Sequence, residues 1–302
     1  MKKEKLAFIG TGIIGAGLAV NAALRDFDVT LYDVVPVDAA KERVCSILDT
    51  LVEAGACTKE ASDAAYERCA FTNDLGAAVA DVVFVQECVP ERMELKRDIY
   101  RKVQELAGNK PLIASSTSSF MPSELQEGAL YPDRILVGHP YNPSYILPLI
   151  EIVGGKQTSQ EAIDSAKELY TAIGKVPCHC RKEVFGYIVQ NINFTLSEMT
   201  AKLVEDGVAT AEDVDRALMY GPGMRLPITG HLLTISLGID GGWKNIKPKY
   251  DNMPATEADL MVAAQIDEEL ANRPAELGND IKSVTKFRDK MLVAMLKFQN
   301  ML

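Results

Sequence analysis

The chain has little of what a nucleic-acid-binding protein needs. Among its 302 residues, 32 Lys and Arg are outnumbered by 42 Asp and Glu, which gives a formal net charge of −10. Binding to phosphate backbones or to an anionic membrane surface needs a surplus of positive charge on one face of a protein. We therefore expect neither nucleic acid nor a membrane among its partners.

The few cysteines are too scattered to form a disulfide scaffold. They lie at positions 45, 57, 69, 88, 178 and 180. Cys178, His179 and Cys180 resemble the start of a zinc site, but such a site needs further ligands and no second pair follows. The sequence predicts no metal ion. Reduced thiols are typical of the cytoplasm, which is the expected location.

Long hydrophobic runs are scarce as well. The uncharged run from Leu6 to Leu24 imitates a signal peptide or a membrane span, but glycines at positions 10, 12, 15 and 17 interrupt it. A secretory or membrane helix would favour leucine at such positions. We predict neither kind of segment. The length suffices for two domains.

The glycines instead form a phosphate-binding motif, Gly10-Thr11-Gly12-Ile13-Ile14-Gly15. The motif follows a predicted strand, Leu6–Ile9, and opens a predicted helix, Ile13–Leu24. In this context Gly10 allows a tight turn, Gly12 lets the backbone approach a pyrophosphate, and Gly15 lets helix and strand pack closely. These six residues are the predicted dinucleotide site.

Asp33 selects between two cofactors. It follows the next predicted strand, Val29–Tyr32, where a carboxylate hydrogen-bonds the adenosine ribose hydroxyls and repels a 2′-phosphate. No Arg or Lys occurs in residues 34–40 to bind that phosphate. The predicted cofactor is therefore NAD.

The remaining pattern predicts an α/β protein with a second domain that is entirely helical. Further strands are expected at Val82–Gln86, Leu112–Ala114, Ile135–Val137 and Ile150–Val153, alternating with helices such as Ala39–Ala54. This alternation indicates a Rossmann-type, doubly wound parallel sheet over residues 1–184. Residues 185–302 are predicted to be helical, with helices at Phe185–Val204, Ala211–Met219, Ile228–Leu237, Thr256–Leu270 and Lys282–Leu302.

His139 is the most plausible acid–base residue. Only three histidines are present, and His139 follows a predicted parallel strand at its carboxyl end, where ligands bind in such sheets. Twelve residues later, Glu151 lies in the apolar run Leu149-Ile150-Glu151-Ile152-Val153. A carboxylate buried in an apolar strand needs a partner, and His139 is the expected one.

With these motifs, the sequence is similar to the L-3-hydroxyacyl-CoA dehydrogenase family over nearly its whole length. The similarity lies in the serine-rich loop 115–119, in His139-Pro140-Tyr141-Asn142-Pro143 and in Glu151. It implies that His139 and Glu151 are the catalytic pair and that Ser118 binds the substrate oxygen. It also implies that Glu91 and Lys96 lie near the nicotinamide ribose, and that the helical domain forms a homodimer.

Two positions depart from the family pattern. Ser116 stands where the family usually has Asn, and Gln190 stands where the family has Asn at the start of the second domain. We expect Gln190 to take the role of that Asn, with Asn191 as the alternative, although a one-residue shift turns a helical side chain by about 100°.

The substrate is expected to be a small, unesterified 3-hydroxy acid. Residues 139–154 and 220–225 resemble the branch of the family that contains carnitine dehydrogenase, L-gulonate 3-dehydrogenase and lambda-crystallin. Acyl-CoA recognition in the family uses a basic helical region, whereas residues 37–73 contain four Lys or Arg against seven Asp or Glu. Arg225 is a candidate partner for the substrate carboxylate, because its planar fork suits bidentate pairing. Asn142 is a further substrate candidate.

Three alternatives stay open at this point. The first is a short-chain L-3-hydroxyacyl-CoA dehydrogenase, such as one acting on 3-hydroxybutyryl-CoA. The second is a non-catalytic, crystallin-like protein that binds NAD. The third is a β-hydroxyacid dehydrogenase with a catalytic lysine, for which Lys182 is the nearest candidate, although it lies in a segment typical of a solvated turn.

Overall fold

The computed structural model describes residues 4–302 of the chain. It divides the chain into two compact units, Met1–Phe194 and Thr195–Leu302. The division falls within a long helix, whereas the domain boundary predicted from the sequence lies before that helix, between residues 184 and 185.

A single sheet forms the centre of the first unit. Within residues 4–302 it has eight strands, in the order β3-β2-β1-β4-β5-β6-β7-β8. The strands are β1 Lys5–Ile9, β2 Asp28–Tyr32, β3 Cys69–Thr72, β4 Phe84–Glu87, β5 Leu112–Ser115, β6 Ile135–Pro140, β7 Leu149–Gly154 and β8 Val176–Cys180.

The sheet is parallel except at one place. β6 and β7 pair antiparallel, and all other neighbours run parallel. The predicted Rossmann-type architecture is confirmed, but the expectation that every strand is parallel is wrong at β7. The short connection from Pro140 to Leu149 has no crossover helix, and a parallel pair would need one.

Helices cover both faces of the sheet. Those of the first unit are α1 Ile13–Ala23, α2 Val37–Glu53, α3 Lys59–Glu67, α4 Leu75–Val79, α5 Met93–Ala107, α6 Pro122–Leu125 and α7 Gln160–Ala172, and α8 Val189–Glu205 crosses the division. Successive strand residues face opposite layers. Leu6 and Phe8 join one apolar cluster, with α1, α2 and α7, while Ala7 and Ile9 join another, with α5. Both faces are therefore buried, as the apolar strands predict.

The second unit is helical, as predicted. Its further helices are α9 Ala211–Tyr220, α10 Pro222–Thr229, α11 His231–Leu237, α12 Ile246–Tyr250, α13 Glu257–Asn272 and α14 Ile281–Phe298. Leu233, Ile266 and Val284 form its buried centre, with Trp243 packed against them.

Two predicted helices differ from the observed ones. The helix predicted from Ile228 to Leu237 is interrupted at Gly230, whose φ of +68° belongs to the left-handed region and separates α10 from α11. The helix predicted from Phe185 begins only at Val189, because Gly186 and Tyr187 both have positive φ. In both places backbone conformation, rather than the apolar pattern, sets the boundary.

None of the helices formed by residues 4–302 is both long and apolar enough to cross a membrane. The same residues contain no group of three His, Cys, Asp or Glu side chains arranged to hold a metal ion.

Gly138, which precedes His139, offers a test of the packing that fixes β6. A Cβ at this position would meet the hydroxyl of Tyr170, with the ring carbon that bears it at 2.7 Å. That hydroxyl donates to buried Gln86 at 2.5 Å, so it cannot move without losing a hydrogen bond. Gly138→Ala is therefore expected to lower the free energy of unfolding by about 1–3 kcal/mol, measured by urea denaturation with circular dichroism.

Gly238→Ala is the control for this measurement. A Cβ at Gly238 would have its nearest neighbour at 3.5 Å, an ordinary contact. Its effect is expected to stay within about 0.5 kcal/mol. Equal stabilities of wild type and Gly138→Ala would show that the contact with Tyr170 does not constrain the strand.

Candidate active site

The carboxyl ends of the central strands meet along one edge of the sheet. In the strand register, Ile9 is opposite Glu87, Glu87 is opposite Ser115, and Ser115 is opposite Val137. The residues that directly follow these strands therefore lie side by side. This is the edge at which open α/β sheets bind ligands.

The glycine turn follows β1 at this edge. Gly10 has a φ of +93° and its N–H donates to the Tyr32 carbonyl, which fixes the tight turn. A Cβ at Gly15 would collide with the Gly10 carbonyl oxygen, so only glycine fits there. A Cβ at Gly12 would meet nothing within 4 Å. The backbone at Gly12 is therefore open to a ligand, just where α1 begins.

A cavity of about 570 Å³ lies over this turn. It is lined by Gly12, Ile13, Ile14, Cys88, Asn142 and Pro143. The first backbone N–H groups of α1 have no carbonyl partner within the helix, and they favour negative charge. The open glycine and the helix start fit the pyrophosphate of a dinucleotide.

Asp33 is held as an anion beside the turn. Its Oδ2 accepts hydrogen bonds from the Thr11 N–H at 2.7 Å and the Thr11 hydroxyl at 2.9 Å, and its Oδ1 accepts from the Val34 N–H at 2.7 Å. Burial raises the pKa of Asp33, but these hydrogen bonds outweigh it and the pKa lies below its usual value. A fixed carboxylate at the end of β2 fits the adenosine ribose.

His139 and Glu151 form a close pair. They are directly opposite each other in the antiparallel register of β6 and β7, and His139 Nδ1 lies 2.9 Å from Glu151 Oε2. Because a carboxylate only accepts hydrogen bonds, Nδ1 carries a proton, and in the neutral imidazole Nε2 is then the acceptor. The His139 side chain is 12% exposed and that of Glu151 1% exposed.

The second oxygen of Glu151 binds the start of α8. Oε1 accepts hydrogen bonds from the backbone N–H groups of Ile188 and Val189, at 2.8 and 2.9 Å. Burial raises the pKa of Glu151, but the hydrogen bonds from His139 and from these two N–H groups outweigh it, so the pKa is lowered. Glu151 therefore remains ionised, orients the imidazole and anchors the helix that carries Gln190.

Tyr187 packs against the imidazole of His139. The two ring centroids are 5.5 Å apart, and the Tyr187 hydroxyl donates to the Phe120 carbonyl at 2.8 Å. Phe120 directly follows the serine-rich loop, residues 115–119, which carries Ser118. Tyr187 therefore connects the imidazole to this loop.

The serine-rich loop after β5 is fixed by Thr117. Its hydroxyl donates to Glu91 and accepts from the N–H groups of Ser119 and Phe120, at 3.2 and 3.1 Å. Ser118, the predicted substrate ligand, is half-buried in this loop. Lys96 lies close to Glu91, at 3.2 Å, but its side chain is only 1% exposed.

Gln190 and Asn191 occupy different settings on α8. The Asn191 amide donates to the carbonyls of Phe185 and Tyr187, at 2.7 and 2.5 Å, and so holds the turn before the helix. Gln190 is half-buried, and its Oε1 lies 3.2 Å from the position that a Cβ on Gly186 would occupy. One turn later, Asn193 donates to the Tyr141 hydroxyl at 3.1 Å.

The other predicted substrate ligands lie in separate units. Asn142 is exposed and lines the cavity over the glycine turn. Arg225 belongs to the second unit, where it is exposed on α10. Lys182, the candidate of the lysine-based alternative, is exposed in the connection between β8 and α8.

Two residues of this site, Arg43 and Glu87, and one contact, that of Tyr187 with His139, were not predicted from the sequence. Arg43 donates to the Thr11 carbonyl from α2, three residues beyond the window searched for a cation. Glu87 is buried beside Lys96, and Tyr187 contacts His139. Glu87 could have been noticed, because it is a second carboxylate at the end of an apolar strand, like Glu151. The contact of Tyr187 depends on a positive φ and has no sequence signal.

Comparisons with known proteins agree over both parts of the chain. The family model of the 3-hydroxyacyl-CoA dehydrogenase NAD-binding domain matches residues 5–184, and that of the C-terminal domain matches residues 186–279. L-Carnitine dehydrogenase from a Pseudomonas species is 37% identical over 306 residues, covering 97% of this chain and 93% of the relative. The Bacillus cereus enzyme of the same name is 35% identical, with 97% and 92% covered.

Among solved structures, the 3-hydroxyacyl-CoA dehydrogenase of Archaeoglobus fulgidus shares the fold. It superimposes with a TM-score of 0.73 at 23% identity, covering 99% of this chain and 100% of that one. The family matches and the glycine turn together confirm the predicted cofactor, NAD. The chain belongs to the 3-hydroxyacyl-CoA dehydrogenase family and is an NAD-dependent oxidoreductase.

Proposed function

We propose that this enzyme oxidises the 3-hydroxyl of a small, unesterified 3-hydroxy acid of the L-carnitine type, with His139 and Glu151 as its acid–base pair. The observation that carries the proposal is the 2.9 Å contact between His139 Nδ1 and buried Glu151 at the ligand-binding edge of the sheet. The similarity to enzymes named L-carnitine dehydrogenase supports the choice of substrate.

His139 performs the proton transfer. When bound, NAD supplies a hydride acceptor. In the oxidative direction His139 Nε2 would accept the proton of the alcohol as its O–H bond breaks, and NAD held at the glycine turn would accept the hydride of the carbinol carbon. The imidazolium that results is stabilised by Glu151, whose lowered pKa keeps it anionic. In reduction the imidazolium returns the proton.

Ser118 and Gln190 are the proposed ligands of the substrate oxygen. Gln190 is preferred to Asn191 because the Asn191 amide already donates to two carbonyls of the preceding turn. Asn142 and Arg225 are proposed as further substrate contacts, Arg225 with the carboxylate. Asp33 and Glu91 are proposed to bind the two ribose groups of NAD.

The region between Val37 and Asn73 supports a free acid over a CoA ester. All four of its cations already have partners: Lys41 pairs with Asp38, Lys59 with Asp63, Arg68 with Asp26, and Arg43 donates to the Thr11 carbonyl. A phosphate of CoA would have to compete with these partners for the cations. The segment also carries excess negative charge, which repels phosphate.

The assembly is proposed to be a cytoplasmic homodimer, formed through the helical domain. Exposed apolar side chains of the second unit support this. They lie on α8, α13 and α14, and are Leu196, Met199, Leu203, Val204, Leu260, Met261, Val293 and Phe298. Leu196, Met199 and Leu203 are spaced to lie on one face of α8, and an exposed apolar face of a helix is typical of an interface. All six cysteines are free thiols, which fits a reducing compartment.

The substrate is tested by NADH formation at 340 nm with L-carnitine, L-gulonate, L-3-hydroxybutyrate and L-3-hydroxybutyryl-CoA. We expect L-carnitine to give the highest kcat/KM. The value for the CoA ester should be at least about tenfold lower, because residues 37–73 form no basic region that could bind its phosphates. Turnover of the CoA ester alone would refute the proposed substrate but would be consistent with the proposed mechanism. NAD binding without turnover of any compound would favour the crystallin-like alternative.

His139→Ala tests the mechanism. Since positioned acid–base catalysis contributes about 10²–10⁴ to a rate, kcat is expected to fall by that factor. The dissociation constant for NAD, measured by calorimetry, should change by less than about twofold, because the dinucleotide phosphates bind elsewhere. His231→Ala is the matched control, since His231 is exposed in the second unit. Full activity of His139→Ala would exclude the imidazole as base.

Leu196→Glu tests the dimer. The wild type is expected to sediment at twice the 33.0 kDa chain mass. A charge at exposed Leu196 should shift the equilibrium towards monomer, because burying an unpaired carboxylate in an interface is costly. Leu130→Glu introduces the same charge at an equally exposed leucine of the first unit and should leave the mass unchanged. A monomeric wild type would refute the proposal.

A further inference from the structure

A buried network centred on Glu87 lies at the carboxyl ends of β4 and β5. Oε1 of Glu87 accepts hydrogen bonds from the Val89 N–H and from Lys96 Nζ, both at 2.8 Å. Oε2 accepts from the hydroxyls of Tyr100 and Ser115, at 2.5 and 2.7 Å. Four donors surround this fully buried side chain, an arrangement that suits an ionised carboxylate.

Lys96 has no donor left for a ligand. Its ammonium donates to Glu87 Oε1 at 2.8 Å and to the Val89 carbonyl at 3.3 Å, and it lies 3.2 Å from Glu91 Oε2. These three acceptors use the three N–H groups of a lysine. Lys96 therefore acts on a bound cofactor through Glu91 and through its charge.

The network has one negative charge in excess. Two carboxylates, Glu87 and Glu91, share the single ammonium of Lys96. Glu87 and Lys96 are at most 1% exposed, and Glu91 is 38% exposed. Because two of the three groups are withdrawn from water, solvent and salt screen the excess charge less than they would on the surface.

A bound dinucleotide would extend along the edge of the sheet that carries this network. Its phosphates fit the turn at Gly12, after β1, and its reacting ring must meet a substrate held at His139, on β6. The sheet order places β4 and β5 between these two points. The cavity over the turn is lined by Cys88, the residue directly after Glu87, and by Asn142, which closely follows β6. The nicotinamide half of a bound dinucleotide would therefore extend across the ends of β4 and β5.

We propose that Glu87, through the excess negative charge of this network, tightens the binding of oxidised NAD relative to that of NADH. The nicotinamide ring is cationic when oxidised and neutral when reduced, so a nearby anion stabilises one redox form and not the other. The effect helps oxidised NAD to compete with NADH for the site, and by linkage it lowers the equilibrium constant for hydride transfer to the bound cofactor by the same factor. The inference rests on the proposed function only in taking His139 as the point where cofactor and substrate meet.

The test is the ratio of two dissociation constants, measured by calorimetry without substrate at fixed pH and ionic strength. Glu87→Gln keeps the shape of the side chain and removes its charge, and Tyr100 and Ser115 can rotate their hydroxyls to accept from the new amide. We expect the dissociation constant for NAD to rise about five- to tenfold and that for NADH to change by less than about twofold.

Two control variants separate charge from structure. Ser115→Ala removes a hydrogen bond to Glu87 without changing any charge, so it should leave the ratio of the two constants unchanged. Glu127→Gln removes an exposed negative charge that pairs with Arg97 and with no member of the network, and should also leave the ratio unchanged. Circular dichroism and the melting temperature verify that each variant is folded.

If Glu87→Gln fails to fold, Glu91→Gln makes the same charge change at a residue that reaches the surface. A weaker hydrogen bond from Glu91 to the ribose would affect NAD and NADH alike, so it cancels in the ratio. Equal weakening of both redox forms, or no change in either, would refute the proposal. Because no substrate is present, this outcome does not depend on which hydroxy acid the enzyme oxidises.

Discussion

The buried carboxylate of Glu151 is the constraint on which the site depends. Its two oxygens accept three hydrogen bonds, one from His139 and two from the backbone at the start of α8. Leaving such a group unpaired in an apolar strand would be strongly destabilising, so the three donors are obligatory partners. One side chain thereby fixes the imidazole tautomer and the origin of the helix that presents Gln190.

The glycine turn is a second constraint, because its close packing positions the part of the site that binds the cofactor. Close contact between Gly15 and the Gly10 carbonyl brings α1 onto the sheet, and the same approach leaves Gly12 open to a ligand. Asp33 then depends on the turn, because Thr11 supplies two of the hydrogen bonds that keep it ionised. Packing and cofactor recognition therefore rest on the same few backbone atoms.

The sequence predicted those features that are local. The glycine motif, the strand before it and Asp33 lie within one βαβ unit, and Glu151 was conspicuous because a carboxylate seldom lies in an apolar run. Contacts between distant segments were not predictable in this way. Thr11 receives a hydrogen bond from Arg43 on another helix, and the two backbone donors to Glu151 come from residues with no distinguishing side chain. Strands β3 and β8 were missed because neither is a continuous apolar run.

The antiparallel pairing of β6 and β7 has a consequence for how substrate range can change. His139 and Glu151 are held opposite each other by the ladder itself, so their spacing does not depend on the residues that join the two strands. That connection carries Tyr141 and Asn142, which face the helix α8 and the cavity over the turn. Substitutions at exposed positions of that connection can therefore alter the surroundings of the substrate while the ladder keeps the proton-transfer pair in place.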